Sequence, residues 1–391
     1  MKKTVLGLCA LLLSSVSFAF TPGDPNLKVT FGGDAYVRGY SKKTNTNSKD
    51  QGFAQLLRLK MDLQTSDQIK VATRMVLSGD QWAGDTASGA VTGNSDNGGG
   101  GNDVRLDYGY LEFPIAKGWY ARAGRQEANF SDCFNTCDDR RDRLMVYKFY
   151  GKFLPAILFD KRKEGSFTDE GDDGDMYALA LFHLDRVHEW ALLYAYWQND
   201  DNTYVLNKVH NFSPYYKYNG DKFKAMAVWN WLGQGDRSSW YHGHHNSFAL
   251  KGEYRFHTNW EIGAQAIMSE DGGLIAGGYD TYSFVVNNDP EHNSSNTRLV
   301  SLGGFGTFTG GSNDDEHFFV TRLRNFTGPV TTSLAVGRAR QFLNPTEYDL
   351  MIYDFQVHYQ HSQRLLLKAG VALVREDRSE EATLFQVETQ F

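Results

Sequence analysis

The chain has 391 residues and a formal net charge of -7, with 41% hydrophobic residues, 26 Phe, 21 Tyr, 39 Gly and only 8 Pro. That composition is too apolar and aromatic for a disordered chain, and the acidic balance argues against a general nucleic-acid binder. Beyond residue 20 no stretch approaches the roughly 18 consecutive apolar residues of a membrane helix, which leaves a glycine-rich β protein, soluble or barrel-forming.

Residues 1–19 read as a secretory signal: Lys2 and Lys3 supply the charged start, Val5 to Leu13 the apolar run, and Ser17-Phe18-Ala19 the cleavage site. Residues 20–391 are then expected to form one domain. Alternating runs of about ten residues, long enough to cross a bilayer when tilted, recur along it. They cover 27–40, 52–65, 68–79, 103–113, 118–126, 142–150, 153–162, 175–184 and 187–199, then 207–218, 221–232, 246–257, 260–269, 317–326, 330–340, 347–361, 364–375 and 382–391. That is about eighteen strands. The range is 16 to 20, because Pro214 interrupts 207–218 and because 270–316 holds two strand-like pieces, Tyr282–Val286 and Leu299–Phe308. These two read either as a hairpin above the membrane or as an extra spanning pair.

The connections alternate strictly in length. Ser66-Asp67, Gly151-Lys152, Asp185-Arg186, Asn219-Gly220, Thr258-Asn259 and Ser362-Gln363 are short, whereas 41–51, 80–102, 127–141, 163–174, 233–245 and 270–316 are long. Tight turns on one side and long loops on the other predict an all-β, antiparallel up-and-down transmembrane barrel. Lipid offers no hydrogen bonds, so the sheet must close.

Strand faces follow the same logic. Phe248, Leu250, Gly252, Tyr254 and Phe256 share one face of 246–257, and Ser247, Lys251, Glu253 and Arg255 share the other. A charge facing mid-bilayer costs about 2–4 kcal/mol, so the polar face turns inward. Trp119, Trp231, Trp260, Tyr348 and Tyr359 fall near strand ends, where aromatic girdles sit. By parity the lumen receives Arg38, Arg58, Arg74, Arg105, Arg122, Lys251, Arg255, Arg322 and Arg324, together with Lys28, Lys60, Lys70, Lys148, Arg162, Lys224, Arg364 and Lys368. The inward acids, Asp34, Asp62, Asp107, Asp160, Glu253, Glu261, Asp354 and Glu388, are fewer. The long loops are acidic, as in Asp169-Glu170-Gly171-Asp172-Asp173 and Asp314-Asp315-Glu316. An acidic chain thus encloses a basic pore, and low-dielectric walls focus the field and concentrate anions.

The third long loop, 127–141, reads EANFSDCFNTCDDRR. It is expected to fold inward as the constriction. Cys133 and Cys137 are the only cysteines outside the signal, and an oxidising periplasm predicts a disulfide between them. Arg140, Arg141 and Arg143, whose forks match carboxylates and phosphates, are candidates for solute contact along with Arg122 and Arg125. His242, His244 and His245 lie in a loop where exposed imidazoles are ordinary, and 169–175 fails the spacing of a calcium loop, so no metal or cofactor is expected. No nucleophile or metalloprotease motif occurs, so no enzyme is expected either.

Two features resemble known proteins. The alternating end Leu384 to Phe391, closing on Phe, resembles the last strand of Gram-negative outer-membrane barrels. Asp107-Tyr-Gly-Tyr-Leu-Glu-Phe113 and Trp119-Tyr-Ala-Arg-Ala-Gly-Arg-Gln-Glu127 resemble the strand pair of alginate-export-type, substrate-specific porins. That resemblance implies about eighteen strands, a basic pore, and Gly124, Arg125 and Gln126 at the rim of the constriction. The chain departs from that plan in its Cys133–Cys137 loop and its long 270–316 connection. The expectation is an outer-membrane channel for passive diffusion of small hydrophilic solutes, biased to anions or acidic sugars. It would contact outer-membrane lipid and lipopolysaccharide, as monomer or homotrimer, and no nucleic acid. The alternatives are a barrel that sheathes a partner such as an electron-transfer cytochrome, or an outer-membrane barrel enzyme.

Overall fold

The computed structural model describes residues 26–44, 49–81, 104–163, 174–199, 206–239, 241–276, 279–286, 315–343 and 346–391. The expected signal, the acidic run 169–173 and the Leu299–Phe308 piece lie outside them. Eighteen strands follow in chain order: β1 (Leu27–Lys43), β2 (Lys49–Thr65), β3 (Lys70–Gln81), β4 (Arg105–Ala116), β5 (Trp119–Phe130), β6 (Thr136–Lys148), β7 (Phe153–Lys163), β8 (Gly174–His183), β9 (His188–Asn199), β10 (Val209–Asn219), β11 (Phe223–Gly233), β12 (His244–His257), β13 (Trp260–Glu270), β14 (Glu316–Thr327), β15 (Val330–Leu343), β16 (Thr346–Gln360), β17 (Leu365–Glu376) and β18 (Glu380–Gln390). Each pairs antiparallel with its chain neighbours, and β1 also pairs with β18, so the sheet closes.

The closing seam runs from Asp34 opposite Gln390 to Lys43 opposite Glu381. Beyond it the backbones of Gly33 and Phe391 exchange hydrogen bonds of 2.9 and 3.0 Å. A Cβ on Gly33 would lie 2.4 Å from the Arg58 carbonyl and 2.6 Å from the Phe391 ring, so only glycine lets the last residue dock there.

The exterior is apolar. Phe31, Leu144, Ile157, Leu179, Leu250, Phe256, Ile262, Phe319, Leu334, Val371 and Phe385 are all exposed there, while their strand neighbours turn inward, as alternation requires. Trp119, Trp260 and Tyr359 sit at strand ends next to the short turns. Tyr348 does not join this girdle: it shares the inward parity of Leu350, Ile352 and Asp354 and packs against the interior cluster.

Pro214 does not break β10. It sits opposite Leu192 of β9, but the ladder to β11 skips from Phe212 to Tyr215, where a residue without an N–H cannot donate. Tyr282–Val286 adds no strand. It is a turn buried inside the barrel, with Val285 fully inaccessible. The third loop also differs from expectation. β5 runs to Phe130 and β6 starts at Thr136, so 127–141 is mostly a hairpin with a five-residue tip.

Candidate functional site: the lumen and its inward hairpin

The β4–β5 ladder ends at Gly109 opposite Arg125, and the β6–β7 ladder ends at Asp142 opposite Lys161. Above those points β5 and β6 pair only with each other, and the hairpin leaves the wall. Gly124 marks the bend: its φ is +123°, and a Cβ there would lie 2.5 Å from the Gly109 carbonyl. Gln126, buried beside the bend, donates to the Arg143 carbonyl at 3.0 Å.

The hairpin tip crosses the interior to β10 and β11. Ser131 and Ser213 hydroxyls are 3.0 Å apart, and the Asn135 amide donates to Asn211 at 3.0 Å and Asn230 at 3.2 Å. Lys217 reaches Asp132 at 2.7 Å. Phe134 is fully buried and meets Tyr279 edge-on at 4.9 Å, while the Ala276 amide donates to the Phe134 carbonyl at 2.9 Å. The disulfide Cys133–Cys137 brackets this residue. Tyr279 and Ala276 belong to the seventh loop, whose described residues fold back onto the inner wall. Asp354 of β16 accepts the Ser283 hydroxyl at 3.0 Å and the Phe284 amide at 2.8 Å. Burial raises the Tyr279 phenol above its ordinary value, and burial followed by the Glu253 charge does the same for Tyr282. Both stay protonated at physiological pH, and the Tyr282 hydroxyl donates to Glu253 at 3.1 Å.

The predicted site residues fall into three groups. The first is tied into buried ion networks at the root of the hairpin. Arg58 holds Asp34 at 2.7 Å, Arg74 holds Asp107 and reaches Glu127 at 2.7 Å, and Arg140 bridges Asp107 at 2.5 Å and Asp138 at 2.6 Å. Asp160, completely buried, joins Arg143 at 2.5 Å to Arg141 at 3.1 Å. Arg74, Arg140 and Arg141 anchor the hairpin to the wall, while Arg58 and Arg143 tie adjacent wall strands beneath it. Arg38, also buried, donates to Gln386 at 2.6 Å.

The second group faces the lumen: Arg105, Arg122, Lys251, Arg255 and Arg324 are at least partly open to it, whereas Arg322 is buried. Arg322 lies 3.8 Å above the Tyr282 ring and holds Glu253 at 2.7 Å. Arg324 and Arg255 share Glu261. Lys251 lies 5.1 Å from the same Tyr282 ring and, with Lys224, makes no ion pair among the described residues. Together with Lys217 they form a cationic wall on β10–β14 beneath the hairpin tip. A cavity of about 250 Å³ opens between Asp132, Lys217, Lys224, Lys251 and Glu253. A second of about 430 Å³ opens on the other side of the hairpin, against Asp34, Arg58, Lys60, Asp62, Arg74, Tyr108 and Glu127. Arg122 holds Glu112 and stacks on Tyr110 at 4.6 Å. Arg105 is exposed at the start of β4.

The third group is outside. Arg125 has the exterior parity of Leu111 and Leu144 and pairs with Asp142 at 2.9 Å on the outer face, so it does not reach the pore. Lys148 follows the lumen-facing Tyr147 and therefore also points outward.

Parity counting missed several lumen acids. A bulge between β3 and β4 puts Asp107 and Tyr108 both inside and brings Glu112 inward below them. The hairpin carries Glu127, Asp132, Asp138 and Asp139 into the barrel. The cationic excess is therefore smaller than alternation implies and concentrates on β10–β14. The facing pair Glu112 and Arg122 was the one signal in the sequence that could have exposed the bulge.

A closed eighteen-stranded wall with an apolar exterior, a charged interior and an inward hairpin has the build of a membrane-spanning β-barrel. No protein-family model matches the chain, and no curated protein matches it in sequence. Solved structures match it in fold. OpdK of Pseudomonas aeruginosa, with vanillate, is 12% identical with a TM-score of 0.61 over 92% of this chain and 98% of its own. OccK8 (OprE) of the same organism is 13% identical, TM-score 0.58, over 92% and 98%. OccAB2 of Acinetobacter baumannii is 9% identical, TM-score 0.60, over 93% and 98%. At such identities the likeness establishes the closed 18-stranded architecture alone.

Proposed function

We propose that the protein is a channel of the bacterial outer membrane that passes small hydrophilic solutes by diffusion and favours anions, small carboxylates and acidic sugars among them. Residues 1–19 would direct export, residues 20–391 would form the barrel, and 270–316 would be a long loop of the extracellular side whose described residues fold back into the lumen. The 127–141 hairpin would set the size limit. The observation that carries the anion preference is the wall of Lys217, Lys224, Lys251, Arg255, Arg322 and Arg324, opposed by fewer acids and placed directly below the hairpin tip. Charge of one sign on a low-dielectric wall raises the local concentration of counter-ions. Arg324, Arg255, Arg122 and Lys251 are the side chains offered to the solute; the largely buried arginines Arg58, Arg74, Arg140, Arg141, Arg143 and Arg322 hold the shape through which it passes. Vanillate, found with one structural neighbour, is a carboxylate of the size this wall would accept. The lumen already holds the chain's own hairpin and seventh loop, which favours a channel over a sheath around a partner protein.

Reversal potentials in planar bilayers under a potassium chloride gradient test this reading. The expected sign is that of chloride selectivity, and Lys251→Glu with Arg324→Glu shifts it toward potassium. Potassium selectivity in the parent protein overturns the anion preference, and absence of any conductance overturns the channel.

A further inference from the structure

The outer wall is not uniformly convex. Over β7 to β10 an apolar groove of about 370 Å³ is lined by Trp119, Pro155, Ile157, Leu179, Leu192 and Phe212. Its rows run across the strands, with Pro155 opposite Leu181 and Leu181 opposite Leu192. Strand stagger makes the groove climb from the rim of short turns, where Trp119 is the first residue of β5, to the middle of β10. Lys148, the last residue of β6, stands at the low end beside Trp119. Its ammonium lies 5.7 Å from the Trp119 ring and 4.8 Å from the Tyr150 ring, with no acid paired to it among the described residues.

We propose that this groove and its lysine form a seat for one glycerophospholipid with an anionic headgroup, drawn from the leaflet on the short-turn side. The acyl chain follows the groove upward, and the phosphate meets Lys148 at the level where indole and phenol rings prefer to lie. Two features select this occupant. An apolar channel that begins at the interface and rises into the wall matches a chain attached to a headgroup. An unpaired cation held over two aromatic faces complements a phosphate and not a second copy of the same apolar wall. The inference depends on the membrane placement of the barrel and not on the solute preference of its lumen.

Native mass spectrometry of the full chain in detergent tests it, with phosphatidylglycerol and phosphatidylcholine of identical chains as probes. One lysine near a membrane surface contributes about 1 kcal/mol toward an anionic headgroup, so about five-fold greater retention of phosphatidylglycerol is expected. Lys148→Ala and Lys148→Gln should each remove the preference, and Ile157→Trp, which fills the groove, should lower retention of both lipids. Equal retention of the two lipids by the parent overturns the proposal, as does a preference that survives in both lysine variants. Displacement of the lipid by inorganic phosphate identifies a free-ion site and also overturns it. The lysine variants should keep parental conductance, which separates this outcome from any failure of the channel reading.

Discussion

Phe134→Ala tests whether the hairpin tip is latched by its aromatic side chain. Phe134 is fully buried, meets Tyr279 of the seventh loop edge-on, and belongs to an apolar cluster inside the barrel that also holds Ile275 of that loop and Met226 and Val228 of the wall. Its burial is therefore a hydrophobic contribution made against water, unlike that of the lipid-facing residues. Truncating a buried Phe costs about 3–5 kcal/mol, of which the edge-on Tyr279 contact contributes about 1 kcal/mol. The hydrogen bonds of Ser131, Asn135 and the Phe134 carbonyl survive the substitution, each contributing about 1 kcal/mol. The wall ladders of β1 to β18 are untouched, so the loss falls on docking of the tip and not on the barrel. A loss of about 3 kcal/mol lowers the docked-to-undocked ratio more than a hundredfold. Single-channel recording should show larger mean conductance and strong open-channel noise, with Phe134→Leu much closer to the parent. A Phe134→Ala barrel that folds, judged by heat-modifiable gel mobility, yet shows parental amplitude and noise would refute the latch.

Asp160→Asn removes the buried carboxylate shared by Arg141 and Arg143; uncompensated buried charge costs about 3–5 kcal/mol, read as a lower urea midpoint in detergent, and an unchanged midpoint contradicts the anchoring role. Gly124→Ala forces a Cβ against the Gly109 carbonyl at positive φ and should destabilise by about 1–3 kcal/mol on the same unfolding curve, while Ala123→Gly at the neighbouring position should cost less. Asp354→Ala releases the Ser283 and Phe284 contacts of the seventh loop; chymotrypsin should then cut near Tyr282, and equal resistance in variant and parent would show that other contacts hold the loop.

The strands were legible because lipid imposes a strict rule on alternate residues. Phe248, Leu250 and Tyr254 could not have faced any other way. Closure was legible from the alternation of loop lengths. The lumen was harder to read, because interior residues obey no such rule. One extra residue at the β3–β4 bulge reverses parity below it, so Glu112 faces the lumen although strict alternation from Asp107 would turn it outward. Arg125 lies three residues past the lumen-facing Arg122, so simple alternation already turned it outward, and only its place at the expected rim suggested otherwise. Arg140, Arg141 and Arg143 looked available for solute because their carboxylate partners, Asp107 and Asp160, come from other strands and cannot be matched to them by spacing. The role of Phe134 depends on Tyr279, far along the chain, and no local pattern announces that contact.

The docking partners of the hairpin tip have a consequence for biogenesis. Asn211, Asn230 and their neighbours lie 76 to 96 residues further along the chain than the atoms they hold, and Ala276 comes later still. A sheet assembled only as far as β6 offers the tip nothing to bind. The tip's berth exists only once β10, β11 and the seventh loop are in place, so the inside of the barrel cannot take its final shape by folding of the hairpin's own strands alone.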